Sequence, residues 1–424
     1  MKLIVCVFEG ISYPLLNEYL DNGLLPNFKN LCSNGQCGKL ECAPIPYEAS
    51  GITTVFSGIG VETHGIISYW NPKSENYIPI QWDSSNVSNL MFWNKEPFRD
   101  LRYSLINLFG TQPTYKINGS MLSYSMDKNL RYSYPRELLM LLNRKGLPYV
   151  QDTCAFFTKD TVKSDFCRDV LKIDMLRKNV FLALTNNDTD ISIVNFTAID
   201  RLSHFCFDEI DNVQLENSML YKAYEQCDKI LGEIISLSAH LKSEVIVFSE
   251  IGFGHLKKFV SINDYLMQKG LLKQEPESKK TIFSGTMAFE SVQGSHGINI
   301  NSKKQFCDGI VSENEYENVL SQVINELINM PNPYNGNPMF ENVIRGVEFS
   351  HSNLVPDIIL EPYDWEYLPY GDPYWADHVS RHCQTGWHRC ESFWGYWGAA
   401  EKTKGNMTLI DIYDFIIGLI KNSK

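Results

Sequence analysis

Three apolar runs in this chain each lead into an acidic residue. Lys2-Leu3-Ile4-Val5-Cys6-Val7-Phe8 ends at Glu9, Asp190-Ile191-Ser192-Ile193-Val194-Asn195-Phe196 is followed closely by Asp200, and Glu244-Val245-Ile246-Val247-Phe248 by Glu250. Carboxylates gathered at one place can move protons or hold a cation through oxygen. A fourth acidic residue, Glu48, follows the proline-marked bend Ala43-Pro44-Ile45-Pro46-Tyr47. It stands where a small-residue helix should begin, one that Gly58 and Gly60 stop. Unpaired N–H groups at a helix N-terminus favour a bound anion, phosphate included. Near the C-terminus, the tract from Trp375 to Trp397 holds His378, His382, His388 and four tryptophans.

The apolar runs are β-branched and continuous, as strands buried on both faces of a parallel sheet should be. Helical spacing follows them. Ile11–Tyr19 comes first and a short helix opens at Leu25-Pro26. A long helix carries Tyr224, Cys227, Leu231, Ile234 and Ile235 on one stripe. Helices are also expected from Glu313 to Met330 and from Leu409 to Ile420, with a strand at Pro356-Asp357-Ile358-Ile359-Leu360. Such alternation predicts an α/β protein whose ligands bind beyond the carboxyl ends of the strands. Residues 68–160 differ. They are rich in aromatics, Asn and Ser, with Trp70, Trp82, Phe92 and Trp93. They are read as an inserted cap that sets substrate specificity, leaving 1–67 and 161–424 as the core.

With 424 residues, 44% of them hydrophobic, the chain can bury a large core. A net charge of −12 disfavours a nucleic-acid polymer as partner. The apolar start stops at Glu9-Gly10, too soon for a secretory signal, and no run approaches a membrane span. Eleven scattered cysteines without a CxxC pattern suggest reduced thiols and a cytoplasmic protein.

Taken in order, these segments resemble the alkaline phosphatase superfamily, in particular its type I phosphodiesterase/nucleotide pyrophosphatase (phosphohydrolase/phosphomutase-like) branch. Phe56-Ser57-Gly58 with His64-Gly65-Ile66 resembles the pair of motifs after the nucleophile loop. Asp200-Arg201-Leu202-Ser203-His204 matches the Asp-x-x-x-His metal pair. Ser249-Glu250-Ile251-Gly252-Phe253 stands where the family has Ser-Asp-His-Gly-Phe. Gly386-Trp387-His388-Arg389 resembles the Gly-x-His-Arg that brings the last metal histidine. The resemblance implies a three-layer α/β sandwich with a mostly parallel central sheet and an inserted cap. It implies a metal on Asp200, His204 and His388, with His296 as a rival for the last place. It also implies catalysis at a phosphate-containing small molecule, with Arg389 near the substrate anion.

The sequence departs from the family at its second metal site. The first Asp is Glu9, the Asp-His pair is Glu250-Ile251, and counting back from Gly58 puts Glu48 at the nucleophile position. Three outcomes follow. The glutamates hold a second ion, Mg²⁺ or Mn²⁺, beside a Zn²⁺ or Mn²⁺; or one metal remains and Glu48 acts as general base or nucleophile; or catalysis is gone and the fold binds a phosphate ligand or a partner. A shifted register would instead place Ser50 as the nucleophile, while Thr53 and Thr54 read as helix packing. The expected activity is phosphoester hydrolysis or transfer, on a diester or nucleotide-linked substrate.

Overall fold

A computed structural model describes residues 2–124, 132–152, 162–278, 280–369, 371, 383–400 and 405–422. Every residue of the strand Leu3–Phe8 is buried, as is every residue of Ile191–Phe196. These two lie side by side and parallel, Phe8 opposite Phe196, and Glu244–Phe248 pairs parallel to Leu3–Phe8 on its other edge. All three strands therefore end at the same edge, which gathers their acidic residues.

Among the described residues the central sheet has nine strands. Their order is Met407–Thr408, Gln36–Glu41, Glu391–Trp397, Glu244–Phe248, Leu3–Phe8, Ile191–Phe196, Tyr103–Ile106, Gly119–Leu122 and Ser133–Tyr134. Glu391–Trp397 runs antiparallel to both its neighbours, and Ser133–Tyr134 to its one neighbour; the other pairings are parallel. The expected α/β class, with a large and mostly parallel central sheet, is what the chain adopts. The long helix is Met219–Leu241, and Tyr224, Cys227, Leu231 and Ile234 are buried on its inner stripe. None of the described helices is long and apolar enough to cross a membrane.

Packing divides the chain at other places than the expected cap. One unit comprises residues 1–59, 83–255 and 379–424; the other comprises 60–82 and 256–378. Within the first unit, Tyr103–Ile106 and Gly119–Leu122 are strands of the central sheet, so this part of the 68–160 stretch builds core. The second unit has its own sheet, ordered Ala288–Glu290, Gly297–Ile300, Ile358–Pro362 and Phe340–Arg345. Its core includes Ile262, Leu266, Ile298, Val323 and Leu360.

Cys32 and Cys37, expected as free thiols, are joined in a disulfide between helix Pro26–Asn34 and strand Gln36–Glu41. Eight other described cysteines are free. Trp375, His378 and His382 of the tryptophan-rich tract lie outside the described residues.

Candidate metal centre and active site

Close backbone approach sets the position of the first two acidic residues. Gly10 follows Glu9 with a φ of +89°, and a Cβ there would come within 2.7 Å of the Asp200 Cα. The contact is sealed by the Asp200 N–H, which donates to the Glu9 carbonyl at 3.0 Å. Asp200 then lies on the helix Ala198–Cys206, and His204 follows it by one turn on the same face.

His388 arrives from far along the chain. Its strand, Gly386–Arg389, pairs antiparallel with Gly252–His255, so that His388 faces Phe253. The two imidazoles are held alike. The Nδ1 of His388 lies 3.1 Å from the Pro46 carbonyl, and that of His204 lies 3.3 Å from the Gly386 carbonyl. A proton on each Nδ1 satisfies those carbonyls and leaves each Nε2 lone pair for a cation. The Nε2 atoms stand 3.5 Å (His204) and 3.3 Å (His388) from Asp200 Oδ1. Donor atoms of the three residues all lie within 4.8 Å of one another. Asp200 Oδ1 and His388 Nε2 are buried and neither makes a hydrogen bond. Two such atoms facing each other fit a shared metal ion.

The electrostatics agree. Burial alone would raise the Asp200 carboxyl, but positive charge beside it, on His204 when protonated and on Arg201, outweighs burial and holds it well below the usual carboxylate range. Glu9 and Glu250 go the other way. Burial pushes both well above that range, and neighbouring carboxylates add to it: Asp200 first for Glu9, Glu48 first for Glu250. Asp200 is thus held as a carboxylate, the form that could ligate an ion.

Glu48 is the first residue of the helix Glu48–Ser57, which Gly58 ends in the left-handed region at φ 70°. Its Oε2 is buried without a hydrogen-bond partner, as are both carboxylate oxygens of Glu250. Ser50, two residues on, is fully buried and its Oγ is likewise unpartnered. Thr53 bonds back to the Ala49 carbonyl at 2.6 Å, as helix packing predicts. Gly51 is where Glu250 rests: a Cβ at this position would meet the Glu250 Cβ at 2.6 Å and Cγ at 2.8 Å. Alanine usually stabilises a helix interior over glycine by about 1 kcal/mol. Here Gly51→Ala is expected to destabilise by about 1–3 kcal/mol through overpacking. Denaturant unfolding checks the sign.

Arg389 is held in the two-stranded ribbon. Its guanidinium donates to the carbonyls of Trp387 at 3.1 Å and His388 at 2.9 Å, and to that of His255. These bonds brace the His388 strand. His296 belongs to the second unit, where its ring packs 5.8 Å from that of Trp365. In the group that could hold an ion, the third residue is His388.

A guanidinium that reaches Asp200 and Glu9 is that of Arg201, which no sequence argument singled out. It donates to Asp200 Oδ2, to Glu9 Oε1 at 3.4 Å and to the Tyr124 hydroxyl at 3.0 Å. The other Glu9 oxygen accepts from the Asn195 amide at 2.5 Å.

No protein-family model matches the sequence, and no curated protein matches it by sequence. By structure the chain is similar to an inactive variant of murine ectonucleotide pyrophosphatase/phosphodiesterase 5 in complex with AMP. That match has 14% identity and a TM-score of 0.58, over 99% of this chain and 95% of that chain. It is similar to phosphonoacetate hydrolase from Sinorhizobium meliloti in complex with phosphonoformate, at 11% identity and a TM-score of 0.63 over 99% and 95% of the two chains. It is similar also to alkaline phosphatase PafA, at 13% identity and a TM-score of 0.62 with the same coverage, 99% and 95%. At these identities the likeness is one of fold: the chain has the fold of the alkaline phosphatase superfamily.

Proposed function

We propose that this chain, built on the alkaline phosphatase fold, is a metal-dependent phosphoester hydrolase or transferase. Its substrate is a small molecule with a diester or nucleotide-linked phosphate. The observation that carries the proposal is the donor set of Asp200, His204 and His388, whose ligand atoms lie within 4.8 Å of one another. One carboxylate and two imidazoles suit Zn²⁺ or Mn²⁺. An ion held there would supply Lewis-acid polarisation of a phosphoryl oxygen. The fold neighbours that were solved with AMP and phosphonoformate support a phosphate-like ligand.

Glu48 does the proton work. Its carboxylate takes a proton from the attacking water or alcohol, the oxygen of that nucleophile bonds to phosphorus, and the bond from phosphorus to the leaving oxygen breaks. Helix N–H groups beside Glu48 favour the anionic substrate. The residues at two positions favour a second proposal, a phosphate-binding protein without turnover: Glu48 stands where the family has a hydroxyl, and Ile251 where it has a ligand.

One experiment separates them. Wild type and Glu48→Gln are loaded with Zn²⁺ or Mn²⁺ and assayed on nitrophenyl phosphodiesters and phosphomonoesters. The enzyme should turn over a diester, and Glu48→Gln should slow it by about 10²–10⁴-fold with metal content unchanged. Wild type that binds a phosphate diester yet turns over none would leave the binding protein.

A further inference from the structure

We infer that the Arg201 guanidinium is the second cation of this site, so that the chain takes one metal ion where the fold's usual plan takes two. The inference rests on the proposal that Asp200, His204 and His388 hold a divalent ion. Asp200 divides its carboxylate between two positive partners. Its Oδ1 faces the two histidine Nε2 atoms, at 3.5 and 3.3 Å, and its Oδ2 accepts from Arg201. In a two-metal site a second ion would neutralise the acidic residue that ends the first strand. Here Arg201 reaches that residue, at 3.4 Å from Glu9 Oε1.

The guanidinium is fixed in that place. Its other terminal nitrogen donates to the Tyr124 hydroxyl at 3.0 Å and lies 3.7 Å from Asp152 Oδ2. Its side chain is 10% exposed. Arginine stays charged under all working conditions and cannot be exchanged as a metal ion can.

Two of the positions that would hold a second ion offer it no free donor, although Glu48 and Glu250 keep unpartnered oxygens. Ile251, fully buried, offers none where the family has a histidine. Both oxygens of Glu9 already accept hydrogen bonds, from Arg201 and Asn195. Among the described residues, Asp200, His204 and His388 are the set of three or more whose donor atoms come close enough for one ion; Glu9, Glu48 and Glu250 do not form such a set. The lengthened side chain at position 9 thus belongs to a site that holds a guanidinium in a metal's place.

Three proteins test this: wild type, Ile251→His, and Arg201→Ala combined with Ile251→His. Each is stripped with chelator, reloaded with Mn²⁺, and counted for manganese per chain by elemental analysis. Electron paramagnetic resonance then distinguishes an isolated ion from a coupled pair, and circular dichroism checks the fold. Wild type and Ile251→His should each hold one uncoupled ion, because the guanidinium still fills the second place. The double variant should hold two, with a coupled spectrum. Two ions in wild type or in Ile251→His would overturn the inference. So would a folded double variant that stops at one. If the double variant fails to fold, the first two proteins still decide. Wild type with no metal at all would sink the metal-dependent proposal itself and this inference with it.

Discussion

If the proposed function holds, Asp200→Asn is expected to lose the proposed divalent ion and, with it, turnover by about 10³-fold or more, equivalent to about 4 kcal/mol of transition-state stabilisation. The substitution keeps the shape and removes the charge. Asp200 is the carboxylate of the three-residue donor set, and the two imidazoles are neutral when they bind metal. The asparagine amide also cannot serve both Arg201 and an ion. If its oxygen accepts from Arg201, its NH₂ donates to a histidine Nε2 lone pair and takes that nitrogen from the ion; if it flips, the NH₂ meets the guanidinium, a buried donor facing a cation, which costs about 1–3 kcal/mol. Glu250→Gln provides the contrast. Glu250 lies outside the donor set, so this variant should keep its ion. Elemental analysis of the two variants beside wild type, with thermal melts, checks both statements. Retention of a full equivalent of metal in Asp200→Asn would remove Asp200 from the ligand set, and the proposed chemistry with it.

How much of this site the sequence could reveal depended on the range of the interactions involved. Glu9, Asp200 and Glu250 were legible because each follows a continuous apolar strand, and adjacent parallel strands end together. His204 follows from the helical turn that separates it from Asp200. His388 did not follow from local pattern. Its place depends on the pairing of Gly386–Arg389 with Gly252–His255, a contact between distant segments, and the family motif supplied what periodicity could not. Arg201 lay inside the quoted motif and still escaped. Neighbouring helix positions are about 100° apart, so nothing local says that residue 201 turns to Glu9 while residue 200 faces the histidines. The division into units was hidden for a related reason. Residues 60–82 pack with 256–378, and no shift in composition marks either boundary. The aromatic content of 68–160 reflected, in part, strands such as Tyr103–Ile106 that are buried in the central sheet.

Arg177→Met is expected to destabilise the fold by about 3–5 kcal/mol, the cost of leaving buried carboxylates without their partner. Arg177 is fully buried on helix Lys163–Leu184. Its guanidinium bonds to Asp174 and to Asp152, and donates to the Thr197 hydroxyl at 3.2 Å. Asp174 in turn accepts from the backbone N–H of Ala198 at 2.8 Å and of Thr197 at 3.3 Å. Those are the first, unpaired donors of the helix that carries Asp200 and His204, and the Thr197 side chain does not cap them. Asp152 continues the line to Arg201, 3.7 Å away. Removing Arg177 therefore loosens both the cap of the helix that carries Asp200 and His204 and the anchor of Arg201. Metal affinity should fall about 10–100-fold in the molecules that stay folded. The pH dependence identifies the groups. Burial pushes Asp174 up to about 6 even with Arg177 beside it. Without the guanidinium its folded value rises further above the unfolded one. A carboxyl raised on folding stabilises most below its unfolded pKa, and that contribution is lost as pH climbs through the folded value. Wild type completes this loss near pH 6, whereas the variant goes on losing stability above it. The deficit in unfolding free energy should thus be smaller at pH 5 than at pH 8, with Asp152, which Arg177 also holds down, contributing at both, measured by denaturant midpoints at both. Equal deficits would mean that lost packing, and no stranded carboxylate, accounts for the change.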